Sequence, residues 1–96
     1  MAKTLLQNIE ALPGGELVRT GIDDLERRAE SIEALLVSIG TPRLRLAGLE
    51  IPSPLPSPEL RLYERLRQED ADAAHSRYNA LVRRLVSFER AAGCAS

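Results

Sequence analysis

The stretch SPELRLYERLRQEDADAAHSRYNALVRRLVSFERAA, residues 57–92, decides the fold, because after Pro58 it runs without glycine or proline until Gly93. Ser57 supplies an N-cap, Pro58 takes the first helical position, where no backbone N–H is needed, and Glu59 suits the positive end of the helix dipole. Strong helix formers follow, so the pattern predicts one helix over 58–92, about 50 Å long at 1.5 Å per residue. A helix of that length needs partners along much of its surface.

The apolar positions indicate where those partners lie. Ala74, Tyr78, Leu81, Leu85, Phe88 and Ala92 alternate spacings of four and three, a coiled-coil-like seam widened by Val82. Leu62, Tyr63 and Leu66 point roughly 70–80° away from that seam at about 100° per residue. We therefore expect the first turns to face another surface, with Leu60, Leu62 and Leu66 as an exposed apolar stripe available to a partner protein. Between the stripes lies a polar interval, residues 67–75. We expect Arg67 and Asp70 to pair across the seam there, with His75 at its edge, as a polar layer that fixes register.

The pattern also predicts a helix over residues 16–39. Val18, Ile22, Leu25, Ala29, Ile32, Leu36 and Ile39 alternate spacings of four and three, and Gly40 provides a stop. Leu5, Leu6, Ile9 and Leu12 place a short helix over 2–12, broken by Pro13-Gly14-Gly15. Thr41-Pro42 opens a helical turn over 42–47 that Gly48 ends. Residues 49–57 form a proline-rich connector, extended by its alternate prolines.

Charge sets the relative direction of the two main helices. From Glu16 to Glu33 six acidic residues outweigh three arginines, whereas from Ala74 to Ala92 four arginines outweigh Glu89. An antiparallel hairpin brings these regions side by side. The expected fold is one all-α domain over residues 1–96, an antiparallel hairpin with a very long second helix and one or two short helices. The second helix overshoots the first, so we expect a homodimer that closes a four-helix-type bundle.

Composition agrees with this class. With 44% hydrophobic residues, one Phe, two Tyr and no Trp, the core must be aliphatic, which suits helix packing. A net charge of −1 gives no general attraction to nucleic acid or anionic membranes. No signal peptide or membrane-length apolar run is apparent, and the expected compartment is the cytoplasm. A lone cysteine, Cys94, supports neither an internal disulfide nor an all-cysteine zinc site.

Candidate chemistry is sparse. Asp72 and His75, three residues apart, resemble the carboxylate-x-x-His spacing of metal-binding bundles, with Glu69 and the first-helix carboxylates Glu26, Glu30 and Glu33 as further ligands. Arg77, Arg83 and Arg84 are the candidates for a nucleic-acid-binding face, without the aromatic interleaving that stacking needs. No nucleophile elbow, phosphate loop or zinc-finger spacing is present. The expected role is a non-enzymatic interaction or adaptor protein that carries no cofactor and binds an as yet unidentified protein partner. Metal binding and nucleic-acid binding are the alternatives.

Overall fold

A computed structural model describes residues 9–95, with side chains to residue 93. A single 3₁₀ turn, Ile9–Ala11, precedes four α-helices: α1 (Gly15–Glu26), α2 (Ile32–Leu46), α3 (Pro58–Glu69) and α4 (Ala74–Ala95). No strand occurs among the described residues. The helix expected over 2–12 falls mostly outside them, and its described part is the 3₁₀ turn. Pro13 and Gly14 then form the expected break, with Gly14 at φ 74 as the N-cap of α1.

Both expected long helices are divided. A straight 58–92 helix of about 50 Å would exceed the longest dimension of the molecule, 41 Å. The chain breaks instead at Asp70, whose backbone is extended (φ −160, ψ 100). Its carboxylate accepts from the backbone N–H groups of Asp72 (3.1 Å) and Ala73 (3.3 Å). A short acceptor that serves its own following amides competes with helix continuation. The polar interval is thus a corner and not a layer across the seam: Arg67, Asp70 and His75 are all exposed. Around it α3 folds back on α4, and the Tyr63 and Tyr78 rings meet edge to face with centroids 5.8 Å apart.

The 16–39 helix divides at residues 27–31 for a different reason. Arg28 adopts φ 58, its N–H donates to the Leu25 carbonyl (3.0 Å), and the Ala29 N–H donates to the Asp24 carbonyl (2.8 Å). This is the C-terminal motif in which a left-handed residue turns the chain back onto the last helical carbonyls, here with arginine where glycine is usual. Ser31 then caps α2, its Oγ accepting from the Ala34 N–H at 3.0 Å. Asp24 links the two ends. The residue is 7% exposed, and its carboxylate accepts from Ser31 Oγ at 2.6 Å and pairs with Arg27.

Those hydrogen bonds, Ser31 first and Arg27 after it, hold the Asp24 carboxyl below its ordinary pKa against the opposing effect of burial. The folded state therefore binds its proton less readily than the unfolded chain. The stabilisation is full above the ordinary carboxylate range and is lost as pH falls through the lowered value. Asp24→Asn should cost about 1 kcal/mol at pH 7 by weakening these bonds. Urea titrations from pH 3 to 7 should show a shallower acid-side loss in the variant, and parallel curves would refute the linkage.

Gly40 does not stop α2, and Pro42 lies inside it. The proline removes the N–H that would meet the Ser38 carbonyl, at a cost of about 3 kcal/mol. Burial outweighs that cost: Leu35, Leu36, Val37 and Leu44 are fully buried on both sides of it, each contributing about 1.5–3 kcal/mol. Gly40 is a close-approach residue. A Cβ there would lie 2.8 Å from Glu89 Oε2 and 2.9 Å from a Leu85 methyl of α4. The helix ends where Gly48 (φ 100) places the Leu49 N–H on the Leu44 carbonyl at 3.1 Å.

The central element is therefore α2, which packs against each of the other three helices. Its run from Ala34 to Ser38 is buried at every position, so neighbours must surround it. The connector covers part of it: Leu49 and Ile51 are buried, Arg45 donates to the Ile51 carbonyl at 2.9 Å, and the Leu55 N–H donates to Ser38 Oγ at 2.9 Å. The connector is not extended throughout as expected, because Ser53 (φ 42) and Ser57 (φ 47) are left-handed, and its role is cover as well as spacing. Glu16 pairs with Arg84 of the basic stretch at 2.6 Å, in line with the charge pattern, whereas Glu30 pairs with Arg61, outside that stretch. These pairs are solvent-exposed in part, so they select direction more than they stabilise.

Candidate functional site

The expected partner stripe is largely internal. Leu62 and Leu66 are 0% exposed because α3 turns them onto α2, and Leu60 alone of the three stays exposed. The seam from Ala74 to Ala92 is likewise closed within one chain, with Ala74, Leu85, Phe88 and Ala92 buried. Tyr78, Leu81 and Val82 of the same seam are half-buried.

The expected metal candidates separate. Asp72 lies in the corner between α3 and α4, whereas His75 lies in the first turn of α4, so the two do not share one helix surface. His75 Nε2 is 3.2 Å from Asn79 Nδ2, and Glu69 accepts from Arg77 at 2.7 Å. Glu30 is engaged with Arg61. No group of three metal-ligating side chains is assembled among the described residues. The arginine trio is also dispersed, with Arg77 paired to Glu69 and Arg84 to Glu16, while Arg83 makes no ion pair among the described residues.

A different feature is built between the C-terminal halves of α2 and α4. Arg43 and Leu46 from α2, and Val86, Glu89 and Arg90 from α4, line one open cleft. Leu46 is 88% exposed. The reason is geometric: two residues along a helix differ by about 200°, so when α2 buries Leu44 it must present Leu46 to water. Sequence reading missed this site because it took residues 42–47 as a separate short turn after a stop at Gly40, not as the last turns of α2. The signal was there, in that Leu44 and Leu46 cannot both face the core of one helix.

The electrostatics of the cleft are uneven. Burial pushes the Glu89 carboxyl above its ordinary pKa, with Arg43 pulling in the opposite direction. Arg43 acts from a distance, because neither Arg43 nor Arg90 makes an ion pair among the described residues. Folding thus favours protonated Glu89. Stability from this group is greatest below the ordinary carboxylate range and declines as pH rises through the raised value. Glu89→Gln should therefore gain on the native protein between pH 4 and 7 in thermal unfolding, and a gap that narrows over this interval would contradict the assignment.

Elsewhere, Glu30, Arg61, Glu64, Arg65, Gln68 and Glu69 line a polar cleft. Ile9, Glu10, Arg19, Ile22, Asp23, Glu26 and Glu50 line an acidic one. Every buried side-chain nitrogen and oxygen among the described residues has a hydrogen-bond partner, so Asp24, Ser38 and Thr41 serve the fold. No protein-family model, no curated protein and no solved structure matches this chain.

Proposed function

We infer that the protein is a small non-enzymatic interaction module whose binding face is the cleft between α2 and α4. The observation that carries this reading is Leu46. An exposed leucine alone means little, but this one stands at the edge of an open cleft that it lines with Val86, Arg43 and Arg90. The aliphatic core is closed without it. Burying Leu46 would recover transfer free energy that folding leaves unused, roughly 1.5–3 kcal/mol for a complete leucine side chain. Such a group supports association and contributes nothing to catalysis.

Placement of a photo-reactive amino acid tests the reading in intact cells. At position 46 it should yield a discrete protein adduct, and at the exposed position 28, remote in sequence and unconnected with the cleft, it should not. Adducts at both positions, or at neither, would remove the cleft as the binding face. Leu46→Ser should abolish the adduct formed through a crosslinker at Val86 while leaving stability within about 0.5 kcal/mol, as for other surface substitutions. A larger loss of stability would show that Leu46 serves the fold.

A further inference from the structure

We propose that this cleft receives an acidic segment of a partner protein carrying one large apolar side chain, the anchor seated between Leu46 and Val86 and the carboxylates facing Arg43, Arg83 and Arg90. The inference rests on reading the cleft as the binding face and adds the chemistry of its occupant. Arg83 lies three residues before Val86, and Arg90 four after it, so all three share one face of α4. Arg43 stands three residues before Leu46 on α2. These arginines make no ion pair among the described residues, a state they share with Arg28, Arg45, Arg65 and Arg67; what sets Arg43 and Arg90 apart is that they line the cleft beside Leu46 and Val86.

Arg43 and Arg90 therefore line the cleft with one partly desolvated carboxylate, Glu89, around an apolar centre, and Arg83 stands one turn before Val86 on α4. The planar guanidinium fork suits bidentate carboxylate recognition. A rim of one sign steers association and excludes like-charged partners. The same charges argue against a symmetric dimer through this face, because a two-fold axis would set the arginines of one copy against those of the other. A nucleic-acid backbone would satisfy the arginines but leave Leu46 and Val86 without a counterpart and bring Glu89 near phosphate.

The test is selection of a randomised twelve-residue peptide library on the full chain, followed by binding of synthetic peptides with amide chemical shifts as the site readout. Selected sequences should be enriched in Asp and Glu around one Leu, Ile or Phe, and should shift the amides of Arg43, Leu46, Val86 and Arg90. Leu46→Asp should weaken binding at least tenfold with unchanged circular dichroism, since that side chain is exposed. Arg43→Glu combined with Arg90→Glu should turn the selection toward Lys and Arg.

Peptides that bind the cleft without acidic enrichment would overturn the occupant and leave the binding face standing. Peptides that shift only other amides, or no binders at all, would overturn both. A mass that rises with concentration and reverts in Leu46→Asp would assign the cleft to the acidic groove of a second copy. Tighter binding of a duplex or single-stranded RNA than of any acidic peptide would likewise end the proposal.

Discussion

Leu62→Ala and Leu66→Ala should each lose about 2–5 kcal/mol of stability, the cost of truncating a fully buried leucine whose site collapses only in part. In a domain of this size each kcal/mol lowers the melting temperature by roughly 4–8 °C, so either variant should be partly unfolded near 40 °C or fail to accumulate. Both residues are 0% exposed and belong to the same apolar cluster as Leu35, Leu36 and Phe88. Leu60→Ala on the same helix removes a side chain that is 62% exposed and should change stability by less than about 0.5 kcal/mol. Urea unfolding of the three variants decides the matter: equal small effects would restore Leu62 and Leu66 to the surface.

Gly21→Ala should destabilise the protein by about 2 kcal/mol, although helix propensity alone predicts a gain of roughly 1 kcal/mol for the same change. The reversal follows from the approach of α1 to α2. A Cβ at position 21 would lie 2.4 Å from the Glu33 carbonyl oxygen and 2.4 Å from a Val37 methyl. A rotamer change can move the methyl, but the carbonyl belongs to the first turn of α2 and cannot turn aside without opening it. Overpacking of this kind costs about 1–3 kcal/mol or more. A stabilised Gly21→Ala variant in denaturant titrations would mean that the two helices stand farther apart.

Much of the local punctuation was legible. Pro13-Gly14 ends the N-terminal segment, Gly48 ends a helix, and Pro58 opens one; Ser57 stands at the N-cap position of α3, but its left-handed backbone (φ 47) leaves its side chain without the expected capping bond. The apolar positions Val18, Ile22, Leu25, Leu36, Leu85 and Phe88 are buried as their spacing required. The two breaks were not legible in the same way. At Arg28 the chain adopts a left-handed conformation without the glycine that normally announces one, and at Asp70 the helix yields to a carboxylate whose pattern equally fits a helix surface. Ala29 belonged to the predicted seam by spacing, yet it is exposed because the chain reverses there.

By itself the sequence determined an all-α protein with an aliphatic core, the periodic faces that enter that core, and the opposite charge of α1 and α4. Propensity and periodicity are local properties, and each is carried by residues within a few turns of one another. The tertiary structure decided which possible helix ends were used, that α2 became the central helix, and that Leu62 and Leu66 went inward while Leu46 was left outside. Those outcomes depend on competition between segments far apart in the chain. Burial around α2 outweighs a proline within it, and once Leu44 is committed to the core, the geometry of one helix leaves Leu46 in the cleft beside Val86.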